Sequence, residues 1–383
     1  MKILIVDHNA VDVLSQSVYR WLAESGGAHV RVIVPESWHN NYQVVRGEAF
    51  KGSDRYEVVA LPVWFLRRTH RLVYRGLTKQ MRTFRPDILY VNAEPENFQT
   101  LQCALERKFS QDSAFVFSTW RNIDYSIAGS PYRFSFLHAY AEHRVLREAD
   151  HGIAFTRDAL PIFSRLAFTQ MTHIPPEIDT SVFRPQTVAG SRNPGEFVVG
   201  FAGRLTKLKG VEILLEAASQ LPQSFKLFII GGGPEAGTLH RYSSSLGLDS
   251  RLKWHDPVSR REMPNLLAQM DALVLPSRTG VRWKEQFGRV ITEAMACGIP
   301  VIASNSGSIP EVVGSAGLMF PEGNVQALRD AIVSLRDDER LKDQCRQSGL
   351  ARVATEFALP VVAPKYRSLF RSLADARDRT LDV

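Results

Sequence analysis

Short apolar runs rich in β-branched residues alternate along this chain with longer stretches in which apolar positions recur every three or four residues. In the first half the runs are KILIVD (2–7), VRVIVP (30–35), VVALPV (58–63), DILYVN (87–92), AFVFST (114–119), GIAFT (152–156) and THIP (172–175). Most are continuous rather than alternating, as in strands buried on both faces. Helical spacing falls between them, at Val13–Ala23 and Tyr140–Glu148. A polar stretch, QTVAGSRNPGE at Gln186–Glu196, interrupts the pattern and reads as an interdomain linker.

A second series begins with EFVVGFAG (196–203) and continues through KLFIIGGG, LKWH, ALVLPS, PVIAS and GLMF. Val211, Leu214, Leu215 and Ala218 mark one helix face between the first two runs. The chain ends in helical patterns at Val325–Leu335, Glu339–Glu356 and about Pro360–Ala376. Regular alternation of strand and helix predicts an α/β protein with two doubly wound, Rossmann-like domains facing across a cleft between the carboxyl edges of their sheets. The expected bounds are 1–186 and 197–359, and the last helix, about 360–383, could pack back onto the first domain.

A length of 383 residues suits two such domains, each able to bury its own core. No apolar stretch is long enough to span a bilayer, and the first apolar run reads as a strand rather than a secretory signal. Only three cysteines occur, Cys103, Cys297 and Cys345, widely spaced, so neither a disulfide framework nor a zinc cluster is expected. A cytoplasmic location fits best. The formal net charge of +7 favours an anionic partner. Seven Arg or Lys and no acid lie between Trp64 and Pro86. Leu66, Val73, Leu77 and Met81 recur between Arg67, Arg71, Arg75, Lys79 and Arg82 as in a basic amphipathic helix. Residues 64–86 are therefore either a solvated helix face or a contact for an anionic membrane surface, placing the protein peripherally on the inner face of the membrane. No nucleic-acid-binding signature accompanies them.

Three segments of the second half carry candidate chemistry. In FAGRLTKLKG a strand ends at Gly203 and delivers Arg204 to the sheet edge, while Lys209 precedes the next helix. A guanidinium and an ammonium beside a helix N-terminus suit a diphosphate; as isolated residues they would be solvated loop cations. GGGPE at 231–235 permits close backbone approach to a ligand or simply a turn. In EQFGRVITEAMACGIPV (285–301), Glu285 lies in a loop and Glu293 inside a helix. Each carboxylate suits a pair of vicinal hydroxyls, one at either end of an extended nucleotide sugar, or else completes a helix-surface ion pair. Were the whole segment helical, the two acids would stand about 12 Å apart.

FAGRLTKLKG, IIGGGPE, MPNLLAQMDALVLPS, EQFGRVITEAMACGIPVIAS and SGSIPEVV, in that order, resemble the retaining GT-B glycosyltransferases of family four. The resemblance covers about residues 196–340. It implies that Gly203, Arg204 and Lys209 meet the donor diphosphate, that Glu285 faces the transferred sugar and that Glu293 holds the ribose hydroxyls. It also implies that backbone at Phe287, Gly288, Arg289 and Val290 lines sugar and phosphate, with Val258 near the base. Arg204, Lys209 and Glu285 would then be the catalytic set, with no cofactor and no metal. The first half departs from the family: DHNAVDV stands where a Gly-Gly loop is common, and Trp120-Arg121-Asn122 where a His is common. Strand-end residues His8, Asn9, Asn92, Glu94, Trp120, Arg121 and Asn122 are the acceptor-side candidates.

The expected activity is retaining transfer of a sugar from a nucleoside diphosphate sugar to a glycan or lipid-linked acceptor hydroxyl, in cell-surface polysaccharide or glycolipid assembly. A transferase making a small soluble glycoside, or a catalytically silent nucleotide-sugar-binding protein, would share every donor residue. The chain's shortness argues against glycogen- and sucrose-type enzymes. A dehydrogenase would need a full Gly-x-Gly-x-x-Gly, which GGGPEAG only partly imitates.

Overall fold

The computed structural model describes residues 1–39, 44–109, 113–132, 134–186 and 195–381. They form two compact units, Met1–Glu177 with Leu359–Val383, and Ile178–Ala358. The division falls before the polar stretch expected to be the linker, whose residues 187–194 lie outside the described residues. Residues 178–186 go with the second unit because Ile178 bridges to Ala358 and Phe183 is buried there, under the Arg260 guanidinium.

The first unit contains β1 (Lys2–Val6), β2 (His29–Pro35), β3 (Phe50–Ser53), β4 (Tyr56–Leu61), β5 (Ile88–Val91), β6 (Ala114–Thr119), β7 (His151–Ala154) and β8 (Met171–His173). The sheet order is β8-β7-β6-β5-β1-β2-β4-β3, parallel throughout except for the edge strand β3. Successive side chains leave a strand on opposite faces, so β1 feeds two cores. Ile3 and Ile5 pack with Tyr90 and Val116, while Leu4 and Val6 pack with Leu77, Met81, Phe115 and Phe117. That double burial explains why the strand sequences are continuously apolar.

Two expected helices are shorter than their apolar spacing suggested. Helical spacing from Val13 gives a 3-10 turn at Val13–Gln16 and a helix only over Ser17–Glu24. The Asp12 carboxylate caps the 3-10 turn by accepting from the Leu14 N–H, and Gln16 Nε2 donates to the Ala10 carbonyl at 2.6 Å. The basic segment 64–86 is likewise not one amphipathic helix. Val63–Trp64 and Val73–Tyr74 form a small antiparallel hairpin, and only Leu77–Phe84 is α-helical, starting from Gly76 in the left-handed region. Its buried residues are Leu77 and Met81, whereas Leu66 lies on the exposed hairpin tip beside Phe65, whose φ is 63°.

The last helix, Leu359–Leu381, belongs to the first unit. Val362, Ala363, Tyr366 and Phe370 fall on one face and join the core of Ile3 and Ile5, with Phe370 at 5.5 Å from the Tyr90 ring. Arg377 ties its far end to Asp150 at 3.0 Å.

The second unit contains β9 (Phe197–Ala202), β10 (Phe225–Ile230), β11 (Leu252–His255), β12 (Ala272–Leu275), β13 (Val301–Ser304) and β14 (Leu318–Phe320). All are parallel, in the order β11-β10-β9-β12-β13-β14. The chain thus reverses its direction of winding between β9 and β12, and loops leaving those two strands splay apart at their carboxyl ends.

Because Phe370 is fully buried, Phe370→Ala is expected to destabilise the first unit by about 3–5 kcal/mol. Urea unfolding followed by probes in each unit should show the loss confined to the transition of the first.

Candidate functional site

The loops after β9 and β12 hold the chemistry that the sequence singled out. After β9 the chain passes Gly203 and an exposed Arg204, makes a 3-10 turn over Lys207–Lys209, and enters the helix Val211–Ser219 through Gly210 at φ +64°. A Cβ at Gly210 would lie 2.0 Å from the Pro276 carbonyl oxygen, so only glycine lets this turn press against the end of β12. That contact brings Lys209 to Glu285. Its Nζ donates to Glu285 Oε2 at 2.6 Å, and the Ser277 hydroxyl donates to the same oxygen at 2.7 Å. Glu285 is only 5% exposed. Trp283 lies beneath the lysine, 5.4 Å from Nζ to the ring centre.

The Glu285 backbone is gripped as tightly as its side chain. The Ser308 N–H donates to its carbonyl at 3.0 Å, and Gly307, at φ +54°, has no room for a Cβ, which would meet that carbonyl oxygen at 2.1 Å. The β13 loop therefore closes over the β12 loop. The helix Arg289–Ala296 starts at Gly288 in the left-handed region with no side-chain cap, and the Ile291 N–H closes back onto the Gly288 carbonyl at 2.8 Å. Phe287 and Gly288 are buried, and Arg289 and Val290 are half-buried.

Glu285 and Glu293 are not on one helix, because helix begins at Arg289; the 12 Å spacing of a continuous helix does not apply. Glu293 is 7% exposed, and it is paired: Arg260 reaches Oε1 with Nη2 at 3.1 Å and Nε at 3.2 Å. It is a buried ion pair rather than a helix-surface one. Arg260 had not been singled out, although it follows Val258, which is half-buried in the same turn. The glycines of GGGPE serve backbone packing. Cβ atoms at Gly231 and Gly233 would meet the carbonyls of Gly203 and Leu205 at 1.9 and 2.3 Å, so these glycines seat the Arg204 loop. Among the described residues no three His, Cys, Asp or Glu side chains are grouped to hold a metal ion.

In the first unit, the winding reverses between β1 and β5, and His8 and Asn92 follow those strands. Most acceptor-side candidates there are committed to the fold. Asp7 is fully buried, accepting from Asn9 N–H, Tyr19 and Asn92, and Asn92 also accepts from Ser118. His8 is buried, bonded to Gln99 and edge-on to Trp38; burial lowers its pKa. Glu94 accepts from the Thr119 hydroxyl at 2.5 Å and the Trp120 N–H at 2.7 Å. Arg121 pairs with Glu142, and its guanidinium stacks on Tyr125. Trp120 packs on Phe155, Asn122 is buried, and Asn9 is exposed.

Sequence reasoning missed Glu96. It is 2% exposed, yet neither carboxyl oxygen makes a hydrogen bond of normal geometry. Burial first, and then the neighbouring Glu94, push its pKa up to about 8. Its position within PEN (95–97), in a loop, gave no periodic signal; only the tertiary structure buries it.

The profile of the family described as glycosyl transferases group 1 matches residues 184–352, nearly all of the second unit. Over those residues the second unit is similar to the glycosyl transferases group 1 family. D-inositol 3-phosphate glycosyltransferase of Mycolicibacterium smegmatis is 30% identical over 267 residues, covering 63% of this chain and 58% of that protein. The GDP-mannose-dependent alpha-(1-6)-phosphatidylinositol monomannoside mannosyltransferase of the same organism is 34% identical over 183 residues, 44% of this chain and 48% of that one. The chain thus spans only about half the length of these two relatives. Sucrose-phosphate synthase from Thermosynechococcus elongatus superposes with a TM-score of 0.76 at 19% identity, covering 98% of this chain and 100% of that one. Anabaena HepE in complex with UDP superposes at 0.72 and 19% identity, over 97% and 100%. These likenesses show the GT-B fold. Chain length does not separate this fold from that of sucrose-type proteins, contrary to expectation.

The Glu96 pKa is raised on folding, so between the unfolded value near 4 and the folded value near 8 the native state holds a proton that the unfolded chain has lost. Its contribution to stability therefore falls as pH rises through that window. Relative to wild type, Glu96→Gln should gain about 3–4 kcal/mol between about pH 5 and about pH 8, read as the difference of two denaturation series.

Proposed function

We propose that the protein transfers a sugar from a nucleoside diphosphate sugar to an acceptor hydroxyl, with retention of configuration, in cell-surface polysaccharide or glycolipid assembly. The observation that carries this reading is the Lys209–Glu285–Ser277 cluster at the winding reversal of the second sheet, beside the uncapped helix at Gly288. As the diphosphate leaves, negative charge gathers on it and positive charge on the sugar. Arg204, Lys209 and the helix N–H groups oppose the first, and the Glu285 carboxylate the second. Lys209 and Ser277 hold Glu285 in place before the donor arrives, so little of the charge arrangement is rebuilt during the reaction.

Glu293 is assigned the ribose hydroxyls, sharing its carboxylate with Arg260, and Val258 the base. Backbone from Phe287 to Val290 lines sugar and phosphate. The leaving phosphate oxygen takes the acceptor proton on the same face. No cofactor or metal takes part. Support for a nucleoside diphosphate donor comes from the UDP-bound likeness, and support for a lipid-linked acceptor from the phosphatidylinositol-monomannoside relative.

Thermal shifts with UDP, GDP, ADP, CMP and NAD test the donor side. One nucleoside diphosphate at about 100 times its dissociation constant should stabilise the protein by about 2.7 kcal/mol, and Arg204→Ala should abolish the shift. A response to NAD alone, or to none of the five, overturns the transferase reading.

A peripheral membrane contact is part of the same proposal, with the protein on the cytoplasmic side. No described helix is long and apolar enough to cross a membrane. Trp64, Phe65 and Leu66 are nevertheless exposed at the hairpin tip beside Arg67 and Arg68, the pairing of apolar and cationic groups that an anionic interface takes up. Wild type should sediment with phosphatidylglycerol vesicles at low salt and release at high salt. Trp64→Ser with Phe65→Ser should weaken this about tenfold, the order expected of two lost aromatic anchors; wild type remaining in the supernatant would exclude the contact.

A further inference from the structure

The first unit carries a pocket of about 310 Å3 that the donor chemistry does not use. Glu96, Arg121, Tyr125, Tyr132, His138 and Glu142 line it. At that size it admits a single ring. Two polar groups on its wall are buried with no hydrogen bond of normal geometry: the Glu96 carboxyl, which has the Tyr125 hydroxyl beside it, and His138 Nε2, whose ring is fixed by Nδ1 against the Glu96 carbonyl at 2.9 Å. Tyr132 stacks on His138 at 4.0 Å and 22°, giving the pocket an aromatic side.

A buried polar group without a hydrogen bond of normal geometry costs free energy that an unliganded fold has no reason to bear. The charges around it narrow the choice of ligand. An anion would meet Asp124 and Glu142 lining the same space, and Arg121 is already paired with Glu142. A cation would meet Arg121, whose guanidinium occupies the Tyr125 face at 4.0 Å. An uncharged ring with hydroxyls on its rim and C–H groups on its face satisfies the open donors and acceptors and covers the aromatic side.

We propose that this pocket binds one uncharged sugar ring, with Glu96 and His138 Nε2 hydrogen-bonded to its hydroxyls and Tyr132 against its C–H face. Burial keeps Glu96 protonated near neutrality, so it offers one O–H donor as well as acceptor oxygens, as a sugar hydroxyl pair requires. The ring's role as the acceptor's sugar rests on the transferase reading; its binding does not.

The test is ligand-observed saturation-transfer NMR on the full chain, without nucleotide, using methyl α-glucoside, α-mannoside, α-galactoside and N-acetylglucosaminide, with choline and inorganic phosphate as charged controls. At least one glycoside should bind, within about threefold in Glu96→Gln and at least about tenfold weaker in Glu96→Leu, since leucine can make no hydrogen bond. Glu96→Leu removes a buried acid with no hydrogen bond of normal geometry and should melt no lower than wild type, so its loss of binding is not a loss of fold. Binding of no glycoside, equal binding by Glu96→Leu, or binding of choline or phosphate alone would overturn the proposal. Nucleoside diphosphate shifts measured on the same variants separate the two claims: glycoside binding without any nucleotide response leaves the pocket standing and removes the transferase reading.

Discussion

The contact on which the second unit's chemistry depends is the approach of two loops at the winding reversal of its sheet. Gly210 lies against the Pro276 carbonyl, and Gly307 against the Glu285 carbonyl, both at distances that exclude a side chain. Only then can a lysine from the β9 loop reach a nearly buried carboxylate from the β12 loop. The resulting ion pair is not a source of stability in itself, since desolvating two charges offsets most of their attraction. Its consequence is positional: a carboxylate and a cation are held at the sheet edge, next to a helix N-terminus, before any ligand is present.

Buried acids recur in both units, and their surroundings separate their roles. Asp7 is enclosed by Asn9, Tyr19 and Asn92, and Glu94 by Thr119 and Trp120, so each organises a loop. Glu293 is matched by Arg260. Glu96 alone among these four is buried with neither oxygen in a hydrogen bond of normal geometry. The departures from the family pattern in the first unit have a related cause. Where a Gly-Gly loop is common, Asp7 and Asp12 cap successive 3-10 turns, and the loop is stabilised by carboxylate caps instead of by glycine's freedom.

Buried parallel strands are legible because both faces demand apolar side chains, leaving runs such as KILIVD and AFVFST that could hardly be anything else. Helical spacing was less dependable. Leu66, Val73, Leu77 and Met81 kept the right intervals across a turn, a hairpin and a helix, because periodicity does not register the hydrogen bonds that end a helix. The candidate residues of the second unit were readable for a local reason, as strand-loop-helix order places Arg204, Lys209 and Glu285 at the carboxyl edge of any such sheet. The structure brings Lys209 and Glu285 into direct contact.

The sequence by itself determined the two α/β series, the buried strands and the loops in which the donor-side cations and acids stand, since these follow from short-range periodicity and strand-to-helix order. The tertiary structure alone decided which partners those groups have. It paired Glu293 with Arg260, across 33 residues, tied His8, Asn92 and Glu94 to side chains of other segments, and returned the last helix to the first unit. It also buried Glu96 beside His138, because burial and pairing depend on segments distant in the chain, which no local pattern records.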